Sequence, residues 1–261
     1  MFPIFWKILA SGMKNKHPSI KVVAASVTGA LHRHNEQLCQ DCFRHVEGRN
    51  FVAVVSDGAG SAKFGKIGAR VVCSTLCDLL KNCPFERAEQ AVVHALKVAR
   101  EKLVRHRMNK SKDEMGLADF AATVVGVVYR HGRGLFFHIG DGAAIALKDE
   151  QGGDFIASRP ANGDFSCETF FFTQMAWAEN LRFTAFDGAQ TLFLMSDGLT
   201  MFSFSKDYRE IEKGFILPIN NFLSKEKMKS RATRALANTL NMPRAQKLNP
   251  DDKTLIWAKV Q

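Results

Sequence analysis

The sequence lacks the features that define several classes of protein. No apolar run approaches the roughly 20 residues that a membrane-spanning helix needs. The apolar start, residues 1–10, also lacks the basic, apolar and small-residue succession of a secretory signal. Six cysteines in 261 residues are too few for a fold held by disulfides. We therefore expect free thiols, no membrane partner and a cytoplasmic location.

The chain has enough apolar sequence for a large core. Hydrophobic residues make up 46% and charged residues 24%, which is ordinary globular composition and excludes a disordered or collagen-like chain. There is no internal repeat and no Pro/Gly-rich linker that would divide the chain. We therefore predict an N-terminal extension, residues 1–21, followed by a single domain, residues 22–261.

The charge is strongly basic, with 36 Lys and Arg against 26 Asp and Glu. Residues 206–247 hold ten of these basic residues and four acidic ones, so this segment carries most of the excess of +10. A nucleic-acid binder would pair such charge with interleaved aromatic residues or a helix-turn-helix pattern, and neither is present. The segment is better interpreted as a solvated helical face, and we predict no nucleic-acid partner.

A zinc site is a second hypothesis, because Cys39 and Cys42 form a CxxC with His32, His34 and His45 nearby. Zinc sites of this type need a second CxxC or an HxxxH at a suitable spacing, and neither follows. Free thiols are the better interpretation, and we predict that Cys73 and Cys77, on a predicted helix, are buried.

Apolar runs that end at Gly or Asp predict strands, and apolar residues at helical spacing predict helices. The predicted strands cover residues 51–55, 121–129, 135–139, 143–147, 169–173, 191–195 and 254–260, and the predicted helices cover 67–81, 86–106 and much of 206–241. An Asp-Gly pair within residues 140–142 predicts a hairpin between the strands on either side. Because the helices come in pairs between groups of strands, the pattern favours antiparallel sheets covered by helices.

Acidic residues recur where predicted strands begin or end. Asp57 and Asp197 each follow an apolar strand and precede a Gly, Asp251 comes just before the last strand, and Asp41 follows Gln40. A single Asp-Gly pair commonly does no more than close a turn. Carboxylates gathered at sheet ends, however, repel one another unless a cation neutralises them, and Mg²⁺ or Mn²⁺ prefers such oxygen ligands. Two ions bridged by a carboxylate would turn a shared water into a nucleophile at neutral pH.

Five short motifs occur in a characteristic order. They are Gly29…His32…Gln40-Asp41, Ser56-Asp57-Gly58-Ala59-Gly60-Ser61, Ile139-Gly140-Asp141-Gly142, Ser196-Asp197-Gly198 and Asp251-Asp252-Lys253-Thr254. In this order they resemble the PP2C (PPM) family of metal-dependent protein phosphatases, above all its bacterial branch, over residues 23–260. The resemblance implies an α+β fold, a four-layer α-β-β-α sandwich of two antiparallel sheets flanked by helices.

The resemblance also implies a role for each matched residue. Asp57 would bridge two Mn²⁺ or Mg²⁺ ions, the Gly58 carbonyl would bind one of them, and Asp197 and Asp251 would complete the ligands of the other. Asp41 would bind through water or orient it. Asp119 lies where many members hold an Asp for a weaker third ion, whereas Asp141 matches a turn that is usually structural and is left out of the ligand set.

The sequence departs from the family pattern at two places. Animal members have a His, a proposed proton donor, where this chain has Ala59. Many relatives hold the substrate phosphate with an Arg in the opening motif, where this chain has His32. Because an imidazole can also contact phosphate, we predict His32 as a catalytic and phosphate-binding residue beside Asp57 and Asp41, with Arg33 as an alternative phosphate holder.

The predicted function is therefore that of a metal-dependent phosphatase of phosphoserine and phosphothreonine in proteins. The expected partners are a phosphorylated protein and a cognate Ser/Thr kinase, and the expected state is a monomer. The alternative is a catalytically silent PP2C-like module that regulates or binds a phosphoprotein. The four filled acidic positions speak against this alternative, because a degenerate member would be expected to lose some of them.

Overall fold

The structure is a computed structural model that describes residues 20–110, 116–161 and 169–260, the side chains of residues 107–110 excepted. Residues 1–19 of the predicted N-terminal extension and Cys167 lie outside this range. Lys21, the last residue assigned to the extension, is the first residue of a strand.

Ten strands lie within the described residues. They are β1 (Lys21–Val27), β2 (Cys42–Glu47), β3 (Phe51–Ser56), β4 (Val124–Arg130), β5 (Arg133–Ile139), β6 (Ala143–Leu147), β7 (Phe155–Ser158), β8 (Arg182–Asp187), β9 (Thr191–Met195) and β10 (Lys253–Lys259). They form two five-stranded sheets with the orders β1-β10-β9-β6-β7 and β2-β3-β4-β5-β8. Every neighbouring pair is antiparallel.

Seven α-helices lie within the described residues. They are α1 (Ala30–His34), α2 (Gly65–Leu80), α3 (Ala88–Lys110), α4 (Thr200–Ser203), α5 (Lys213–Lys225), α6 (Lys229–Leu240) and α7 (Pro243–Leu248). Apolar faces of α2 and α3 pack on the sheet that contains β3, and those of α5 and α6 pack on the sheet that contains β10. A third apolar cluster, with Val55, Phe136 and Ile256, fills the space between the sheets. The fold is thus the expected four-layer α-β-β-α sandwich.

The predicted hairpin at residues 140–142 is wrong. β5 lies between β4 and β8 in one sheet, whereas β6 lies between β7 and β9 in the other. Gly140, at a φ of 112°, turns the chain from one sheet into the opposite one. An Asp-Gly pair indicates a change of direction, but the pairing of the next strand depends on which edges are free, and β4 and β8 occupy both edges of β5.

The predicted strand at residues 169–173 is also wrong, because this segment is a loop with isolated contacts. Phe172 is buried in the cluster under α2 and α3, and its carbonyl accepts a hydrogen bond from Arg100 of α3 (2.7 Å). The apolar residues of this segment therefore anchor a loop to the layer formed by α2 and α3. Within residues 206–241, helix forms only in α5 and α6.

Within the described ranges, no helix combines the length and the apolar character that crossing a membrane requires.

Candidate metal centre and active site

The strand registers bring the predicted carboxylates to one end of the sandwich. Cys42 of β2 pairs with Ser56 of β3. Asp41 and Asp57, the residues just beyond this pair, therefore lie at the same end of the two strands. In the opposite sheet, Met195 of β9 pairs with Leu255 of β10. Asp197 and Asp251 therefore lie at the corresponding end there, and the two sheets face each other across the core.

Asp57 is held by a tight connection between β3 and the start of β4. Its N–H donates to the Thr123 hydroxyl (3.0 Å), and its carbonyl accepts from the Thr123 N–H (2.9 Å). The preceding Ser56 hydroxyl donates to the Thr123 carbonyl (2.6 Å). These bonds to Thr123 fix the backbone from which the Asp57 carboxylate extends.

Gly58 stands where no larger residue would fit. A Cβ at this position would overlap the Gly65 carbonyl group at the start of α2. The Gly58 N–H donates to the Gln40 carbonyl (3.3 Å), so its own peptide links the Asp57 loop to the segment that carries Asp41. This close packing explains the Gly after Asp57 better than a free turn does.

Asp41 is buried, with only 2% of its surface exposed. Its Oδ2 accepts a hydrogen bond from the Ser196 hydroxyl (2.7 Å), and the Ser196 oxygen in turn accepts from the Thr254 N–H (3.0 Å). Its Oδ1, in contrast, is buried and has no hydrogen-bond partner. A buried carboxylate oxygen without a donor is costly, so this atom is suited to bind a cation or a water.

The electrostatics of the group point the same way. Burial raises the pKa of Asp57 well above its usual range, and the charges on Asp41, Asp197 and Asp251 raise it further. Burial, followed by the charges on Asp141 and Asp251, likewise raises the pKa of Asp197. Burial raises the pKa of Asp41 to about 6. Without a cation, these carboxyls therefore resist ionising together.

The donor set fits hard divalent ions, because it consists of carboxylate oxygens and backbone carbonyls. In the part of the chain that the structure describes, no group of three or more His, Cys, Asp or Glu side chains is arranged to hold a metal ion by itself. The described residues thus give no support to a zinc site.

His32 lies at the border of this group. Its Nδ1 is 2.9 Å from Oδ2 of Asp252, and the ring is nearly buried. Arg33 points elsewhere, because its Nη1 donates to Oδ1 of Asn241 just after α6 (2.7 Å). Of the two predicted phosphate holders, His32 is thus the one whose contacts tie it to the residues beside Asp251.

Comparisons with known proteins agree with this geometry. The family model described as protein phosphatase 2C matches residues 28–247, most of the chain. The chain belongs to the protein phosphatase 2C family. It is 24% identical to serine/threonine-protein phosphatase 3 of Escherichia coli K12 over 92% of this chain and all of that protein.

Solved structures share the fold of this protein phosphatase 2C member. The serine/threonine phosphatase Stp1 of Staphylococcus aureus superposes with a TM-score of 0.63 at 16% identity, over 94% of this chain and 96% of that one. The serine/threonine phosphatase PstP/Ppp of Mycobacterium tuberculosis gives a TM-score of 0.63 at 14% identity, over 93% and 99% of the two chains.

Two acidic residues of this phosphatase domain, outside the four core carboxylates, bear on the expected third ion. Asp141 is near the group, since the charge on Asp251 contributes to its raised pKa after burial, and its buried Oδ1 has no partner. The carboxylate of Asp119 accepts a hydrogen bond from the Gly116 N–H (3.0 Å), and its carbonyl accepts one from the Phe64 N–H (2.7 Å), so its turn lies against the loop that follows Asp57. The signal for Asp141 was present in the sequence, because it too follows a buried strand and precedes a Gly.

Lys253 was also missed as part of the site. Although it is completely buried, its Nζ donates to the carbonyls of Asn249 (2.6 Å) and Asp251 (2.7 Å). Burial lowers its pKa, while the neighbouring carboxylates Asp251 and Asp252 counteract that change. The ammonium thus clamps the loop that presents Asp251.

The cysteines near the centre have other partners. Cys39 Sγ lies 3.2 Å from the Ser26 hydroxyl, and Cys73 Sγ contacts the carbonyl of Cys42 (3.5 Å). Cys77 Sγ contacts the Arg44 carbonyl (3.5 Å). The described cysteines are free thiols.

Proposed function

We propose that this chain hydrolyses phosphoserine and phosphothreonine in proteins at a binuclear Mn²⁺ or Mg²⁺ centre formed by the strand-end carboxylates. The observation that carries the proposal is the buried, unpartnered Oδ1 of Asp41 beside Asp57, whose pKa is raised by burial and by the charges on Asp41, Asp197 and Asp251. Such a group is stable in the ionised form only when cations neutralise it. Membership of the protein phosphatase 2C family supports the same reaction.

The proposed ligands are Asp57 and the Gly58 carbonyl at one side and Asp197 and Asp251 at the other, with Asp41 oriented by Ser196. When bound, the two ions would supply a water nucleophile at neutral pH and neutralise charge on the phosphoryl oxygens. Asp119 remains the proposed ligand of a weaker third ion. Asp141 is proposed as an additional oxygen donor, because its buried Oδ1 has no partner.

The chain's own residues would position the substrate and the ligand loops. Hydrogen bonds hold both ligand loops in place: Asp57 is bonded to Thr123, and the Lys253 ammonium is bonded to the Asp251 carbonyl. His32 would contact the phosphate through Nε2, which makes no hydrogen bond with a described residue. Fixed groups of this kind lower the cost of organising the site during the reaction.

The silent regulatory module gains no support from the described residues, because all four core carboxylates are present and close together. A phosphorylated protein is proposed as the substrate. The expected kinase partner, monomeric state and cytoplasmic location stay predictions.

Phosphate release from p-nitrophenyl phosphate and from a phosphothreonine peptide tests the proposal. We expect activity that requires Mn²⁺ or Mg²⁺, disappears with EDTA and falls by at least about 100-fold in Asp57→Asn. The matched control is Asp154→Asn, because Asp154 is exposed and only its backbone makes contacts. Full activity of Asp57→Asn, or activity unaffected by EDTA, would refute the proposed centre.

A further inference from the structure

Asp252 is a buried carboxylate, 1% exposed, that takes no part in the proposed ligand set. Its Oδ1 accepts the Gly29 N–H (2.7 Å), and its Oδ2 accepts both the Gln40 N–H (2.5 Å) and the Nδ1 of His32 (2.9 Å). Two of these donors are backbone amides on either side of α1. The carboxylate is therefore fixed in orientation by groups that cannot rotate away.

This arrangement determines how the imidazole of His32 is held. Backbone amides can only donate, so they leave the carboxylate as the acceptor and assign the donor role to Nδ1. The opposite nitrogen, Nε2, then points away from Asp252. It lies 3.6 Å from where a Cβ on Gly60 would stand, next to the loop that carries Asp57 and Gly58.

We propose that Asp252 is a positioning residue that holds the His32 ring so that Nε2 meets a phosphate oxygen of the substrate beside the Gly60 loop. An imidazole has two nitrogens and rotates freely about its side-chain bonds, whereas a guanidinium presents several donors at once. A histidine that takes over phosphate contact therefore needs a partner that selects its tautomer and direction. The successive residues Asp251 and Asp252 thus have different roles: Asp251 binds a cation, and Asp252 orients the His32 ring.

This inference rests on the proposed phosphatase function, and a double-mutant cycle tests it. We expect Asp252→Asn, measured at saturating Mg²⁺, to lower kcat/KM for the phosphothreonine peptide by about tenfold or more. In a His32→Ala background the same substitution should change kcat/KM by less than about twofold, because the group through which it acts is gone. A purely structural role of Asp252 would lower activity equally in both backgrounds. That result would overturn the proposal.

A measurement without turnover separates failure of this inference from failure of the proposed function. In protein with ¹⁵N-labelled histidine and Mg²⁺, long-range ¹H–¹⁵N spectra should show His32 with a proton on Nδ1, assigned by the loss of its signals in His32→Ala. Asp252→Asn should change that pattern, whereas Asp154→Asn should not. Calorimetric Mg²⁺ affinity should stay within about threefold in Asp252→Asn, because Asp251 keeps its own contacts. An Nδ1 without a proton in the unaltered protein would refute the inference even if the protein is an active phosphatase.

Discussion

Burial of the Asp41 carboxylate predicts that removal of its charge stabilises the metal-free protein. Asp41 is 2% exposed, and burial raises its pKa from 3.8 to about 6. A shift of about 2 pKa units corresponds to about 3 kcal/mol of folding free energy once the carboxyl is ionised in both states. In Asp41→Asn the amide oxygen still accepts the Ser196 hydroxyl, so we expect the variant to recover most of this cost.

The direction with pH follows from the raised pKa. Between about pH 4 and about pH 6 the unfolded chain has released the proton of Asp41 while the folded chain keeps it, so the free energy of unfolding falls as the pH rises. The stability associated with this proton is fully present only below about pH 4. The stability of Asp41→Asn relative to the unaltered protein should therefore grow by about 2–3 kcal/mol between about pH 4 and about pH 7.5.

Urea unfolding in EDTA, followed by tryptophan fluorescence at several pH values, measures this difference. The difference between the variant and the unaltered protein at each pH removes the contribution of the histidines, which both proteins share. Asp154→Asn, at an exposed position, serves as the control. Addition of Mn²⁺ near neutral pH should stabilise the unaltered protein more than the variant. A stability difference that stays constant within about 0.5 kcal/mol over the whole pH range would refute the argument, because ionisation of the buried Asp41 must carry a cost.

Two further substitutions test the packing behind the site by urea unfolding. Gly68→Ala should lower the free energy of unfolding by about 2 kcal/mol, because its Cβ would overlap the Phe120 carbonyl, whereas Gly214→Ala, with open space around the new Cβ, should raise it by about 0.5 kcal/mol. Equal effects of the two glycine substitutions would contradict the packing of α2. Asn220→Ala should cost about 1–3 kcal/mol, because Oδ1 of Asn220 accepts the buried Trp257 indole N–H (3.0 Å). A neutral result there would mean that the indole finds another acceptor.

Local patterns predicted many of the elements but not all of their partners. The strand at Phe51–Ser56, the helix at Gly65–Leu80 and the last strand were predicted nearly to their ends, because each has an uninterrupted apolar pattern. The hairpin at residues 140–142 and the strand at residues 169–173 were wrong. The chain does turn at residues 140–142, but β5 and β6 pair with other strands. Residues 169–173 do contain a buried apolar residue, Phe172, but it packs against helices and not in a sheet.

The site residues show the same division. Asp57, Asp197 and Asp251 were predicted as ligands from their positions at strand ends and from the family resemblance, and both signals are contained in the sequence. Asp141 was set aside because it matches a turn that is usually structural in the family, although it follows a strand as the others do. Asp252 and Lys253 were noted only as part of a motif, since their roles depend on partners distant in sequence.

The sequence by itself determined which oxygen-bearing side chains follow which strands, because apolar runs, glycines and aspartates occur in a fixed order along the chain. Only the tertiary structure decided which of them meet. The two sheets place the ends of β3, β9 and β10 together, and α1 returns His32 to Asp252, 220 residues away. The physical reason is that burial and charge crowding are properties of a three-dimensional neighbourhood. The same aspartates would be ordinary solvated carboxylates if their strands ended at different edges.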